Sequence, residues 1–305
     1  MPDYEFFDVV IIGGSYAGLS AALALGRALR RVLVLDTSQP CNRQTPHSHN
    51  FLTQDGTSPA DLAAVAKAQV LAYPTVEYRQ EAGTAVEGTD NHFWVSTASG
   101  AVVRARKLLF ASGVRDLLPA IPGFAESWGI SVIHCPYCHG YEYRGQPTGI
   151  LMQGDMAVEQ ARLVRNWTDK LTIFTNGPAP FEPAQQQLLA ALPVVVVATP
   201  VREIAHQAGY LTHLVLADGQ HAPLSALYAR PPIAQHCALP LALGCTHSEA
   251  GHIEVDGFQK TSVPGIYAAG DATTMMRSVS SAVASGTVAG AMLNRELLAP
   301  LQAPR

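Results

Sequence analysis

The segment His134-Cys135-Pro136-Tyr137-Cys138-His139-Gly140-Tyr141-Glu142 holds the most reactive chemistry in the chain. Two cysteines separated by two residues at a helix start lie within disulfide reach. The free N–H groups of that first turn and an adjacent imidazole favour a thiolate near neutral pH. Pro136 suits the first helical position, where a missing N–H costs nothing. His139 follows the second sulfur directly, and an imidazole titrates near neutrality, so it is placed to take or give a proton. Cys135, Cys138 and His139 are therefore the candidate catalytic residues. The rival reading is structural zinc, since the string carries four potential ligands. Four ligands so close in sequence do not readily close a tetrahedron, and no second C-x-x-C or H-x-x-x-H completes one. Cys41, Cys237 and Cys245 are scattered and read as small buried hydrophobes.

A second site begins at the turn Gly13-Gly14-Ser15-Tyr16-Ala17-Gly18. An apolar run from Asp8 to Ile12 precedes it, an Ala/Leu-rich helical stretch follows to about Leu29, and another apolar run ends at Asp36. That order is a βαβ unit. A turn without bulky side chains lets a pyrophosphate approach the helix N-terminus, where unpaired N–H groups favour anions, while a carboxylate at the end of the second strand takes a ribose hydroxyl. Ser15 stands where the pattern usually has its middle glycine.

The elements that must position these sites can be read along the chain. Short strands are expected near 76–78, 93–97 and 102–104, and "KLLFASG" gives a further buried strand stopping at Gly113. The stretch "LLPAIPG" carries two prolines and reads as a linker. A second strand, helix and strand run spans 148–177, so the chain contains two dinucleotide-fold-like units. "GIYAAGD" is a strand reaching Gly270 and Asp271, and the small residues of 278–289 suit a helix packed closely on something flat. The expected fold class is α/β, with two Rossmann-like, three-layer dinucleotide-binding domains, the second inserted into the first. The first takes residues 1–113 and 236–305, and the inserted one 114–235.

The turn at 13–18, "LLFASG" at 108–113 and "GIYAAGDA" at 265–272 together resemble the three-part FAD signature of two-dinucleotide-fold flavoproteins. With "CPYCHGYE" just inside the inserted domain, the order resembles the low-molecular-weight thioredoxin reductases over nearly the whole chain. The resemblance implies FAD as cofactor. It adds Ala111, Ser112, Gly113, Gly83 and Gly270 to the binding set, gives Asp271 the ribityl chain, and puts Ser278 and Val279 near the flavin ring. It also runs the His- and Asn-rich segment 41–56 past the isoalloxazine, with Asn42, Arg43, His49 and Asn50 facing it. A solvated surface loop is the alternative for that segment. In the family the second cysteine, here Cys138, faces the flavin, and the first, Cys135, exchanges with the substrate disulfide. The residue after the second cysteine is the acid-base group, normally Asp and here His139. That departure resembles the branch of fungal and bacterial dithiol oxidases that close disulfides in small natural products such as gliotoxin and holomycin.

Such reductases reload the flavin from NADPH through a G-x-G-x-x-A turn in the inserted domain and arginines after the next strand. The corresponding turn here is Met152-Gln153-Gly154-Asp155-Met156-Ala157, and "TNGPAP" at 175–180 supplies no cation for a 2′-phosphate. The expectation is a flavin-linked dithiol/disulfide oxidoreductase acting on a small dithiol, or a thioredoxin-like protein, with O2 as acceptor and little use of NADPH. An NADPH-dependent thioredoxin reductase, a ferredoxin-linked disulfide reductase and a non-catalytic redox sensor are the alternatives.

Composition bounds these readings. At 305 residues the chain has room for two compact domains. A net charge of −4 without a Lys/Arg cluster argues against a nucleic-acid footprint or a membrane-surface patch. No apolar run is long enough to span a bilayer, the start is acidic rather than basic, and five sparse cysteines do not form a secreted disulfide framework. A cytoplasmic location is expected, as is a loose tail at 299–305, and the family resemblance implies a homodimer.

Overall fold

The computed structural model describes residues 4–178 and 180–298, so the tail at 299–305 lies outside the described residues. The chain forms two compact units. One holds the residues up to Arg43, then Phe51–Arg115, and those from Ile233 onward; the other holds Gln44–Asn50 and Asp116–Pro232.

In chain order the first unit begins with β1 (Phe6–Ile12), α1 (Tyr16–Arg27), β2 (Val32–Leu35), α2 (Pro59–Leu71), β3 (Val76–Arg79), β4 (Gly83–Thr89), β5 (His92–Thr97), β6 (Val102–Phe110) and β7 (Val114–Asp116). The second unit follows with α3 (Phe124–Ser127), β8 (Val132–Ile133), α4 (Pro136–His139), β9 (Thr148–Leu151), α5 (Gly154–Val164), β10 (Leu171–Phe174), α6 (Pro183–Ala190), β11 (Val194–Val197), β12 (Val201–Gln207), β13 (Tyr210–Leu216), β14 (His221–Pro223) and β15 (Ala226–Ala229). The chain then returns to the first unit through β16 (Ile233–Gln235), α7 (Leu239–Ala242), β17 (Ile266–Ala268) and α8 (Val279–Leu297).

The first unit is built on a sheet ordered β3-β2-β1-β6-β5-β4, with β17 also paired to β6. Its β1, β2, β3, β6 and β17 are parallel, and Val9 to Ile12 are buried on both faces, which is why β1 reads as an unbroken apolar run. The two strands expected at 102–104 and 107–113 are one strand. Its first half alternates, with Val103 and Ala105 buried and Arg104 exposed, and pairs antiparallel to β5; its second half is wholly buried between β1 and β17. Lys107 marks the change. It is 2 % exposed, and its ammonium is paired with Asp90 and lies 3.7 Å from Glu296 of α8, so its charge is neutralised within a central strand.

α8 runs on to Leu297, and the surface it packs against is α1 rather than a sheet. A Cβ on Gly286 would sit 2.1 Å from the Ala17 carbonyl oxygen, and one on Gly290 2.7 Å from that of Ala21, so the backbones touch directly.

The second unit is centred on a five-stranded parallel sheet, β11-β10-β9-β15-β8, and carries a three-stranded antiparallel sheet, β12-β13-β14. Alternation along β15 divides its core. Leu227 and Ala229 join the cluster around Phe124 and Trp128, whereas Ala226 and Tyr228 join the cluster built on α5. Residues 44–50 go with this unit because the Gln44 side chain donates to the Trp128 carbonyl at 2.6 Å and His49 lies against Glu142.

Candidate active site

In the first unit, Gly13 leaves β1 with φ +107°, and a Cβ there would lie 2.3 Å from the Ala111 carbonyl oxygen; one on Gly18 would lie 1.8 Å from the Gly13 carbonyl oxygen. The turn is thus pressed against the end of β6 below and the start of α1 behind. A cavity of about 610 Å³ opens above it, and Gly13, Gly14, Ser15, Asp36, Ala111 and Ser112 contribute to its wall. Arg43 and Gly83 line it as well. Asp36 is held ready: its Oδ2 accepts from the Tyr78 hydroxyl at 2.7 Å and from the Ser38 N–H at 3.1 Å. Burial, with the neighbouring carboxylate, pushes the Tyr78 hydroxyl up to about 12, so it remains a donor at all working pH values.

Of the other residues singled out in this unit, Tyr16, Ala17 and Gly18 form the first turn of α1 and are not among the cavity-lining residues. Asn42 donates to the Tyr16 hydroxyl at 3.3 Å. Gly270 packs on Ala17, where a Cβ would meet that methyl at 2.9 Å, and its N–H donates to the Ser285 hydroxyl at 3.0 Å. Asp271 lies 3.4 Å from Arg277 Nε and accepts from the Cys41 thiol at 3.7 Å. Ser278 caps α8, accepting from the Ser281 N–H at 3.1 Å, with Val279 the first helical residue. Gly113 follows the cavity residues with φ +65°, and its carbonyl accepts from the His236 N–H.

In the second unit, Cys135 is the N-cap of α4 and Cys138 lies in its single turn; both are partly exposed free thiols. Gly140 allows the turn to close, since a Cβ there would meet the Pro136 carbonyl oxygen at 2.5 Å and the Trp167 ring at 3.0 Å. Trp167 in turn meets the Tyr137 ring edge-on at 5.7 Å. The Cys135 thiol is lowered to about 7, first by the hydrogen bond from Cys138, then by the backbone N–H groups of Cys138 and Tyr137 and the charge of Arg230, against the opposing effect of burial. A thiolate is therefore well populated at neutral pH. His139 moves the other way: burial, aided by His49, lowers it to about 4, so it is a neutral imidazole at pH 7 and a proton acceptor. His49 is brought to this motif, with Nε2 3.6 Å from Glu142 Oε1, and Asn50 belongs to the same segment of this unit.

At the end of β9 the turn is closed by its own side chains. Met152 is buried, the Gln153 amide donates to the Thr175 carbonyl across the ends of β9 and β10, and Asp155 accepts from the Gln185 amide of α6 at 2.7 Å.

A family model described as pyridine nucleotide-disulphide oxidoreductase matches residues 7–286. The chain belongs to this family. It is 34 % identical over 315 residues to "Thioredoxin reductase tcpT" of Claviceps purpurea, covering 99 % of this chain and 97 % of that protein. Among solved structures, the oxidoreductase from Agrobacterium tumefaciens superposes with TM-score 0.90 at 41 % identity, covering 96 % of this chain and 99 % of the other. HlmI superposes with TM-score 0.90 at 35 % identity, covering 96 % and 92 %.

As a thioredoxin reductase-like member of the pyridine nucleotide-disulphide oxidoreductases, the protein is an FAD-dependent oxidoreductase acting on sulfur groups. The first unit fits FAD: Cβ-free cradles at Gly13 and Gly18 stand under a cavity that ends at a carboxylate held by two donors. The sequence reading misses Lys67, Tyr78, Glu81, His236 and Cys237, which also line that cavity. Lys67 Nζ stands 3.5 Å over the ring of Tyr78, whose hydroxyl donates to Asp36. The signal for Tyr78 is the pairing of β3 beside β2, with Tyr78 next to Val34, and no local pattern reveals it. Among the described residues no helix is long and apolar enough to cross a membrane, and no group of three or more His, Cys, Asp or Glu side chains is arranged to hold a metal.

Proposed function

We propose that this flavoprotein is a dithiol oxidase that closes a disulfide in a small dithiol and hands the electron pair to O2, with little use of NADPH. The observation that carries this reading is the turn after β9. Gln153 spans the ends of β9 and β10, on the path a dinucleotide takes from pyrophosphate to adenosine ribose, and the buried Met152 precedes it. The residues present do not fit a pyridine nucleotide. Charge-assisted contacts contribute about 1.5–3 kcal/mol each, so losing two weakens binding by a factor on the order of 100 or more.

The chemistry follows from the two sulfurs and one imidazole. A substrate thiolate attacks Cys135 Sγ of the Cys135–Cys138 disulfide, and Cys138 leaves as a thiolate. The second substrate thiolate attacks the substrate sulfur of the mixed disulfide, releasing Cys135 and the oxidised product. Neutral His139 accepts a proton freed from the substrate, which an imidazolium could not do. FAD held in the first unit would supply the acceptor for the electron pair of the Cys135/Cys138 dithiol, with O2 and two protons as the final acceptor, released as hydrogen peroxide. Asn42, Arg43, Gly83, Asp271 and the α8 start belong to the FAD site in this reading.

The test compares donors anaerobically. A small dithiol such as dithiothreitol is expected to bleach the flavin absorbance and, on admission of air, to yield stoichiometric peroxide. Bleaching within seconds by equimolar NADPH, with no peroxide from dithiols, overturns the reading. That outcome establishes instead a thioredoxin reductase, the name that tcpT carries. A cytoplasmic location, read from the sequence, and a homodimer, implied by the family resemblance, are part of the proposal, and sedimentation velocity tests the dimer.

A further inference from the structure

Cys135 and Arg230 lie just beyond the ends of two neighbouring strands. β8 and β15 are parallel, and their last paired residues are Ile133 and Tyr228. Cys135 lies two residues beyond the first and Arg230 two residues beyond the second. Ile133 and Tyr228 both pack into the cluster built on α5; the chain bends at His134, and Cys135 and Arg230 stand at the C-terminal edge of the sheet, where the guanidinium charge acts on the thiol.

α5 is prepared for this. Its inward face is apolar at Ala157, Val158, Ala161 and Val164, yet it also carries Gln160, which is 1 % exposed. Burying an amide is costly unless it gains hydrogen bonds. Gln160 Oε1 accepts from Arg230 Nη2 at 3.3 Å, whereas its Nε2 has no hydrogen-bond partner among the described residues. A leucine would cost nothing at such a position, so the amide is explained by what it holds.

We propose that Arg230 is a thiolate-stabilising residue for Cys135 and that Gln160 is the positioning residue that tethers its guanidinium beside the sulfur. The inference rests on the reading of Cys135 as the exchanging sulfur. Each time the substrate disulfide departs, Cys135 leaves as an anion, and a fixed cation at the same sheet edge lowers the cost of that charge.

The other ionisable groups around the sulfur do not replace this cation. Cys138 and His139 come from α4, and His139 is neutral. Tyr228 below and Tyr143 after α4 are both raised by burial and stay protonated. Glu142 and His49 face each other.

The test measures Cys135 alone, without oxygen, dithiol or turnover. In a Cys138→Ser background, FAD-loaded protein is alkylated with iodoacetamide across pH 5–9, and modification of the Cys135 peptide is followed by mass spectrometry. Arg230→Met is expected to move the midpoint to higher pH and to slow alkylation at pH 6.5 about threefold, a modest factor because Arg230 is solvent-exposed and screened. Arg230→Lys is expected to restore most of the rate, and Gln160→Leu to fall between. Superimposable profiles for Cys138→Ser with and without Arg230→Met overturn the proposal. Should Arg230→Met fail to fold, an unchanged midpoint in Gln160→Leu overturns it equally. A shifted midpoint stands even if the peroxide assay fails, so the two readings are separable.

Discussion

Replacing Gly286 with alanine isolates the direct contact of α8 with α1, the helix that starts beneath the proposed FAD cavity. The added Cβ would fall 2.1, 2.8 and 2.9 Å from the carbonyl oxygen, carbonyl carbon and Cα of Ala17. All three atoms are backbone, so no rotamer change relieves the clash, and α8 must move by about 1 Å to reach an ordinary contact distance. Overpacking of this kind costs about 1–3 kcal/mol, and a rigid backbone neighbour puts it at the upper end. Alanine in a helix interior recovers about 1 kcal/mol over glycine. The clash wins, leaving a net loss of about 1–2 kcal/mol and a Tm lower by about 2–8 °C. Because Ala17 belongs to the first turn of α1 and Gly270 also packs on it, the displacement is expected to lower FAD retention as well. The assay pairs a thermal melt with the flavin-to-protein absorbance ratio after gel filtration. Ala284→Gly, on the exposed side of α8, is the control: it should lose about 1 kcal/mol through helix propensity while keeping its FAD. Full FAD occupancy and an unchanged Tm in Gly286→Ala would refute the reasoning, because the backbones would then have room that the structure denies them.

Three further outcomes are expected. His139 lies near 4 in the folded protein and near the ordinary histidine value when unfolded, so the unfolded state binds more protons between those values. Stability should fall as pH drops through that window, by about 3 kcal/mol at most, and His139→Asn should flatten this limb in urea titrations. Tyr78→Phe removes one donor to Asp36 and should weaken FAD binding about fivefold, as read by flavin fluorescence on dilution, while activity at saturating FAD is unchanged. Lys107→Met removes the buried cation from Asp90, but Asp90 is partly exposed and Glu296 keeps Lys260 at 3.3 Å, so unfolding free energy should fall by about 1–3 kcal/mol; urea midpoints equal to those of the unaltered protein would show that the pair carries no stability.

Local chemistry was legible without coordinates wherever a few adjacent residues do a job together. The turn at 13–18, Asp36 closing the next strand, and Cys135, Cys138 and His139 in one short motif each carry their geometry in their spacing, because a strand-turn-helix or a single helical turn is fixed by neighbours in sequence. The small residues of α8 likewise announced a close backbone approach. They could not say that the partner is α1, since Ala17 and Gly286 are brought together only by the packing of α1 and α8 on the same face of the sheet. Tyr78 enters the proposed FAD cavity through the pairing of β3 with β2 and meets Lys67 of α2 there, and Lys107 sits inside a strand because its counter-charges come from Asp90 and Glu296. Residues 44–50 were grouped by Trp128 and Glu142. The strongest case is Arg230, which no motif marks. Its place beside Cys135 depends on strand register, and register depends on which apolar face a whole sheet buries, a property of the assembled core rather than of any segment.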